Sequence, residues 1–220
     1  LDLKFKFRQG GPIGEEAEAK YGHSLTDSVS DFCAQVFDEG GAVLSGPGGG
    51  RYVYDLRRRF DLFCKFVPVT PWPALAFAGK LVSRHLRGVD LLVVRDNAGG
   101  VYQGEWSEQA TPAGRRAEHS FHYTEEQVHR ITDVAARAAA MRCGRLHVIV
   151  KAGGVPGITE LWSAVGLANG RKHGVETAAM NVDLAAYELI QNPTRFDVIV
   201  APNLFGDIIA DLTGILLSSR

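Results

Sequence analysis

The hydrophobic positions of this chain fall into short continuous apolar runs and longer stretches in which apolar residues recur at helical spacing. A β-branched run such as Leu91–Arg95 is typical of a strand covered on both faces of a sheet. Alternation of apolar and basic residues is typical of a strand with one wet face. These patterns predict strands at 3–7, 42–46, 91–95, 101–106, 146–150 and 197–201.

Apolar residues at helical spacing predict helices between those strands. The strongest prediction is 125–141, which opens with the capping-box sequence Thr124-Glu125-Glu126-Gln127. Others are predicted at 24–37, 54–60, 159–168 and 183–191, and one more follows the last strand. Strand followed by helix, repeated, indicates an α/β fold with a mainly parallel sheet and helices on both faces. Ligands bind beyond the carboxyl ends of such strands, where Arg95, Lys151 and Asn203 stand.

Composition narrows the possible partners. The chain has 220 residues, enough for one large or two modest domains, and a formal net charge of -1. Basic and acidic residues are interspersed and no apolar stretch has the length of a membrane span, so we expect neither nucleic-acid nor membrane binding. The cysteines lack a Cys-x-x-Cys spacing and no signal peptide is visible, which indicates a cytoplasmic protein. The chain begins without Met and stops just after a helix-like run, so we expect a longer polypeptide.

Three aspartates carry the candidate chemistry. Asp207 and Asp211 are four residues apart on a predicted helix and therefore share one face. Asp183 opens another predicted helix. Paired carboxylates flanked by apolar residues favour a hard divalent cation, Mg²⁺ or Mn²⁺. On spacing alone, a solvated helix face with unrelated acids is the commoner alternative.

Three separated segments resemble the metal-dependent β-decarboxylating dehydrogenases, the isocitrate/isopropylmalate dehydrogenase family. Residues 93–105, VVRDNAGGVYQGE, resemble that family's Arg-Glu-x-x-Gly-Gly-x-Tyr-x-Gly-Glu run. Val150-Lys151-Ala152 is similar to its Asp-Lys-Ala-Asn motif. Residues 192–211, NPTRFDVIVAPNLFGDIIAD, match almost throughout and are the most specific of the three.

The resemblance implies a two-domain isopropylmalate-dehydrogenase-like fold and a reaction. A malate-like 2-hydroxy acid is oxidised by hydride transfer to NAD, with NADP not excluded, and then loses its β-carboxyl as CO₂. A Mg²⁺ or Mn²⁺ ion polarises the reacting oxygens. The dinucleotide cannot be assigned to residues of this chain.

The same resemblance implies roles for individual residues. Tyr102 is the acid that protonates the enolate, and Lys151 is the base that assists hydroxyl deprotonation. Arg57 and Arg95 bind substrate carboxylates; the register at Arg57 is open because Arg58 and Arg59 adjoin it. The metal ligands are Asp207 and Asp211, with Asp183 from the partner subunit. The active sites of a homodimer would therefore be shared.

Some positions depart from the family pattern. An arginine expected before a Pro-Val pair is Val67, the aspartate before the catalytic lysine is Val150, and the asparagine two residues after it is Gly153. Loss of one carboxylate contact indicates a malate-like but non-standard substrate. The departures also leave open a non-catalytic regulatory subunit of a related hetero-oligomeric dehydrogenase, although the retained acids, lysine and tyrosine argue against it. An α/β binding protein of unrelated function is improbable, given the long third segment.

The resemblance also predicts domain boundaries. Residues 1–62 would form part of a first, cofactor-side domain, and residues 63–217 a second domain with the metal site and dimer interface. Residues 218–220 would begin the return to the first domain. The polar excursion at 107–121 occupies the place of the family's dimer arm, or is only an exposed loop.

Overall fold

A computed structural model describes residues 4–218, which form two compact units divided between Leu62 and Phe63. The first unit comprises residues up to 62, and the second unit begins at 63. Of residues 218–220, predicted to begin a return to the first domain, only Ser218 is described, and residues 219 and 220 lie outside the described residues. The roles predicted for the two units stay predictions.

The first unit contains three helices, α1 (Gly14–Tyr21), α2 (Asp27–Asp38) and α3 (Tyr52–Arg59). Its core consists of side chains from α2 and α3, chiefly Val29, Cys33, Tyr52 and Leu56. The strands predicted at 3–7 and 42–46 are not formed over the described residues, which excludes Leu3. Leu44 is fully exposed, so the apolar pattern is present without a neighbouring strand to pair with it.

From Glu125 onward the second unit alternates helices and strands, as the sequence predicted. Its strands are β1 (Cys64–Val69), β2 (Leu91–Asp96), β3 (Glu105–Thr111), β4 (Gly114–Ser120), β5 (Arg145–Val150), β6 (Glu176–Asn181) and β7 (Val198–Ala201). Its helices are α4 (Glu125–Ala140), α5 (Pro156–Lys172), α6 (Val182–Gln191) and α7 (Asn203–Leu217). No helix within residues 4–218 combines the length and apolar character needed to cross a bilayer.

Five strands form one sheet in the order β1-β2-β7-β5-β6. All neighbouring pairs are parallel except the edge pair β1–β2, which is antiparallel. One face is packed by α4 and α5 through residues such as Ile131 and Trp162, and the other by α6 and α7 through Leu189, Ile209 and Leu216. The predicted α/β fold with helices on both faces is therefore confirmed.

Local sequence explains where α4 begins. The Thr124 hydroxyl accepts a hydrogen bond from the Gln127 amide, and the Gln127 side chain accepts one from the Thr124 amide. This capping box satisfies two amides that the first helical turn leaves without partners. Val128, Ile131, Ala135 and Ala139 then recur at helical spacing and are all buried. The helix is held at its start by polar bonds and along its length by the sheet.

One further strand prediction was wrong, and two edge strands were missed. Residues 101–106 do not form one strand, because Val101–Gln103 turn as a 3₁₀ helix and β3 begins only at Glu105. The polar excursion at 107–121, predicted as a dimer arm or an exposed loop, is almost fully exposed and forms the antiparallel hairpin β3–β4. Its role as a dimer arm stays a prediction. The edge strands β1 and β6 were missed because lysine, proline and exposed small residues interrupt their apolar patterns.

We predict that the three thiols react at very different rates in the native protein. Burial, with nearby Asp96, raises the pKa of the Cys64 thiol to about 12, and burial also raises the pKa of Cys33. Because the thiolate is the reactive form, iodoacetamide at pH 8 should modify exposed Cys143 and spare the other two. Peptide mass spectrometry measures this, with the unfolded protein as the control in which all three react. Equal labelling of Cys64 and Cys143 would show that the start of β1 is open to solvent.

Candidate functional site

The candidate site lies at the carboxyl edge of the sheet, where the parallel strands β2, β7, β5 and β6 end. Arg95 is next to last in β2 and pairs with Ala201 at the end of β7. Its side chain is only 3% exposed, which is unusual for a cation and requires bonded partners. The helix α7, which begins directly after β7, supplies those partners.

Arg95 is bound by two residues of α7. Its Nε and Nη2 atoms donate to Asn203 Oδ1 at 3.2 and 2.8 Å, and Nη1 forms an ion pair with the Asp207 carboxylate. Gly206 allows this approach, since a Cβ atom there would lie 2.7 Å from Arg95 Cγ. The side chains of α7 therefore fix the orientation of the Arg95 guanidinium.

Tyr102 joins the same group from the 3₁₀ turn at Val101–Gln103. Its hydroxyl donates to Asp207 Oδ2 at 3.0 Å, and its ring centroid lies 5.7 Å from the Arg95 guanidinium carbon. Three of the predicted site residues, Arg95, Tyr102 and Asp207, are thus brought together within one chain. They combine a cation, a phenol and a carboxylate around one point of the carboxyl edge.

A second pair of predicted residues meets farther along the edge. Lys151 directly follows β5, and its Nζ atom lies 2.9 Å from Oδ1 of Asp183 in the first turn of α6. The Lys151 ammonium, with amides at the start of α6, lowers the pKa of the Asp183 carboxyl. Asn181 Oδ1 accepts from the Ala152 amide at 2.9 Å and ties the two segments together. Both charged side chains of this pair are exposed to solvent.

The three aspartates do not converge within one chain. Asp183 follows β6, which is two strands from β7 and therefore about 10 Å from it. Asp211 lies one turn beyond Asp207 on α7 and is exposed. Within residues 4–218, no three acidic, histidine or cysteine side chains are grouped as a metal site. The oxygen donors suit Mg²⁺ or Mn²⁺, and all three carboxylates would bind one ion together only if a second copy of the chain supplied Asp183.

Two further positions were discussed from the sequence as carboxylate-binding positions of the family pattern, Arg57 and Val67. Arg57 lies on α3 of the first unit, with its guanidinium carbon 5.8 Å from the Tyr54 ring centroid. Val67 lies opposite Val93 in the β1–β2 ladder and packs against the core on the α6–α7 face. The position that carries an arginine in the family pattern is therefore apolar packing in this chain.

Lys65 is a cation that the sequence did not single out. It lies directly opposite Arg95 in the antiparallel β1–β2 ladder. Residues paired in this way project to the same face, with Cβ atoms about 5 Å apart. The Lys65 and Arg95 side chains therefore leave neighbouring positions on the face of the sheet that α7 covers. This proximity depends on the register of β1 against β2, which the sequence alone does not give.

Asp96 and Tyr123 were also missed, and they lie behind the site. The fully buried Asp96 carboxylate accepts from the Gly99 amide at 2.9 Å and from the Tyr123 hydroxyl. The Tyr123 hydroxyl accepts from the Asn203 amide at 2.9 Å. Nothing in the spacing of these residues signals the network, because it joins three segments that are distant in sequence.

Comparisons with known proteins agree with this architecture. A family model described as isocitrate/isopropylmalate dehydrogenase matches residues 2–219. The 3-isopropylmalate dehydrogenase of Neisseria meningitidis serogroup A is 31% identical over 241 residues, covering 100% of this chain and 64% of that protein. The 3-isopropylmalate dehydrogenase of Prochlorococcus marinus strain MIT 9313 is 35% identical over 231 residues, covering 99% and 63%.

A solved structure shows the same fold. The crystal structure of isocitrate dehydrogenase from Methylococcus capsulatus superposes with a TM-score of 0.78 at 26% identity, covering 93% of this chain and 60% of that one. The chain spans just under two thirds of the length of the two curated relatives. A family match over nearly every residue, together with these relatives, shows that the chain belongs to the isocitrate/isopropylmalate dehydrogenase family.

Proposed function

We propose that this protein catalyses the NAD(P)- and divalent-metal-dependent oxidative decarboxylation of a malate-type 2-hydroxy acid. The observation that carries the proposal is the meeting of Arg95, Tyr102 and Asp207 at the carboxyl edge. A guanidinium suits a substrate carboxylate, a phenol can deliver a proton, and an aspartate suits a hard cation. Relatives named 3-isopropylmalate dehydrogenase support the reaction class.

Each residue has a defined task in this proposal. Arg95 holds a carboxylate of the acid, and Lys151 accepts the proton of its 2-hydroxyl. The carboxylate-binding role of Arg57, which lies in the first unit, stays a prediction from the sequence. Tyr102 then returns a proton to the carbon from which CO₂ has left. Asp183, Asp207 and Asp211 would hold the cation, which supplies Lewis-acid stabilisation of negative charge on the reacting oxygen. The nicotinamide dinucleotide is inferred from the family alone and is assigned to no residue here.

The ion pairs imply that substrate and cation bind together. Asp207 is bound to Arg95, and Asp183 is bound to Lys151, so each of these carboxylates has a positive partner in its own chain. A substrate carboxylate that engages Arg95 releases Asp207 from its ion pair and frees an oxygen donor. Coupling of this kind is reciprocal, so the cation should also increase the affinity for the acid.

The proposed partner is a second copy of the chain. Helices α6 and α7 pack side by side and expose large apolar side chains, namely Leu184, Tyr187, Ile208 and Ile215, each more than two fifths exposed. Asp211 lies between Ile208 and Ile215 on one face of α7, and Asp183 shares a face of α6 with Tyr187. The acids thus stand on the apolar faces that a dimer would bury.

The hairpin β3–β4 supports the same partner. Within residues 4–218 its two strands pair only with each other, and they are exposed on both faces, with Trp106 60% exposed and stacked on His119. An isolated two-stranded hairpin is marginally stable in water, so its strands are expected to gain a covering surface. A second hairpin of the same kind would supply one and would extend the homodimer interface beyond α6 and α7.

The substrate is proposed to differ from the standard acids of the family. Val67 supplies no carboxylate contact, because it packs into the core. Lys65 instead offers a cation beside Arg95, one pleat nearer the carboxyl end of β2. A malate-type acid with an altered 3-substituent, placed to reach Lys65, would suit this arrangement.

We predict that Mn²⁺ stabilises the full-length protein against heat. Binding to the folded state alone should add about 2.7 kcal/mol when the ion is at a hundredfold excess over its Kd. Asp207→Asn should abolish the increase in melting temperature, whereas the control Asp31→Asn, at an exposed position of α2, should retain it. Differential scanning calorimetry measures both. An unchanged wild-type melting temperature in Mn²⁺ would favour a non-catalytic subunit.

We predict that two inactive variants restore activity when mixed. Asp183→Asn and Asp207→Asn should each lose turnover as homodimers. In a mixed dimer, one site receives intact Asp207 and Asp211 from one chain and intact Asp183 from the other. Random assortment after co-refolding should therefore give about a quarter of wild-type activity. A mixture as inactive as its components would show that the site is not shared between subunits.

We predict that Lys65 contributes to substrate binding. With the most active acid from a panel of 3-substituted malates, Lys65→Ala should raise KM about ten- to a hundredfold, as expected for a lost charged hydrogen bond. The exposed Lys80→Ala in the β1–β2 connection is the matched control. Efficient turnover of isopropylmalate, isocitrate or tartrate by the wild type would refute the altered substrate.

A further inference from the structure

The Tyr123 hydroxyl joins three segments that are distant in sequence. It accepts a hydrogen bond from the Asn203 amide at 2.9 Å and donates one to the Asp96 carboxylate. The ring packs edge-on against the buried Trp162, with centroids 5.3 Å apart. Tyr123 directly precedes the N-cap of α4, so the ring is held by the start of that helix and its hydroxyl is aimed at the candidate site.

The turn after β2 closes around this ring. A Cβ atom on Gly99 would lie 2.6 Å from Tyr123 Cε1, and one on Gly100 would lie 2.3 Å from the Tyr123 hydroxyl oxygen. Gly100 also has a φ angle of +74°, which favours glycine. No residue with a side chain fits between the turn and the ring. The Gly99–Gly100 turn therefore packs directly on Tyr123, and the position of one fixes the position of the other.

Asp96 is the buried end of the network. It is 0% exposed, and burial raises the pKa of its carboxyl, while the amides of Gly99 and Ala98 and the charge of Arg130 act in the opposite direction. A buried carboxylate is costly unless its oxygens are bonded. Here those bonds shape the turn and fix the direction of the Tyr123 hydroxyl.

Asn203 is the other end of the network and touches the site directly. It is fully buried, its Oδ1 atom accepts twice from Arg95, and its Nδ2 atom donates to the Gly99 carbonyl at 2.8 Å. It is also the first residue of α7, four positions before Asp207. One asparagine therefore determines both the orientation of the guanidinium and the start of the helix that carries Asp207.

We propose that Tyr123 is a positioning residue that acts through Asn203. Its hydroxyl, oriented by Asp96, fixes the first turn of α7 and thereby the relative placement of Arg95 and Asp207. The proposal rests on the proposed function, in which these two side chains bind substrate and cation. Without the hydroxyl, the Asn203 amide and Asp96 each lose a partner, and the first turn of α7 becomes free to shift.

The test compares Tyr123→Phe with Val165→Ala in the full-length protein. Val165 lies on α5 in the same core cluster as Trp162 and takes no part in the network, so its truncation matches a general loss of stability. At a temperature where both variants are fully folded, Tyr123→Phe should raise the Kd for Mn²⁺ and the KM for substrate about tenfold, as for one lost hydrogen bond. Val165→Ala should leave both constants at the wild-type values.

A metal-free measurement separates this proposal from the proposed function. Hydrogen exchange of peptides covering residues 203–210, followed by mass spectrometry, should be faster in Tyr123→Phe and unchanged in Val165→Ala. If the wild type neither binds Mn²⁺ nor turns over any acid, the proposed function fails, and exchange alone decides whether Tyr123 positions α7. Wild-type exchange in Tyr123→Phe, with only a lowered melting temperature, would overturn the positioning role.

Discussion

The buried guanidinium of Arg95 is the constraint on which the second unit's carboxyl edge depends. A cation only 2% exposed loses its hydration and is tolerated only when its donors are bonded. Asn203 and Asp207 supply those bonds, which requires an amide at the first position of α7 and a carboxylate one turn later. It also requires Gly206 between them, because α7 crosses directly over the arginine side chain. The buried charge of Arg95 therefore explains why α7 has asparagine, glycine and aspartate at these positions.

The two ion pairs of the carboxyl edge differ in exposure, and this difference has a structural consequence. Arg95–Asp207 is shielded by α7, whereas Lys151–Asp183 stands in solvent at the start of α6. A solvent-exposed pair contributes little stability on its own, so Lys151 and Asp183 are not explained by the folding of one chain. Lys151 and Asp183 lie beside the exposed apolar faces of α6 and α7. Under the proposed function, a second copy of the chain would cover those faces and use both charged residues in its own active site.

Much of the fold could be predicted because the signals are local. The capping box marks the start of α4, and continuous apolar runs mark β2, β5 and β7, which are buried on both sides. The alternating pattern at 3–7 and the short apolar run at 42–46 also predicted strands, yet their described residues form no strand. A strand exists only through its neighbours, and a run of apolar residues does not say whether a neighbour is present. The prediction fails in the opposite way for the edge strands β1 and β6. Their apolar patterns are weak, yet hydrogen-bonded pairing with β2 and β5 holds them as strands.

The candidate site likewise has some features that local sequence predicts and others that depend on contacts between distant segments. The placing of Arg95 and Lys151 at strand ends, and the four-residue spacing of Asp207 and Asp211, are visible in the sequence. The burial of Asp96 and the direction of the Tyr123 hydroxyl are not, because both depend on the Gly99–Gly100 turn closing on a ring that belongs to another segment. The sequence shows two adjacent glycines, but it does not show which side chain they make room for. What a glycine makes room for is set by the residue it approaches, and here that residue supports the first turn of α7.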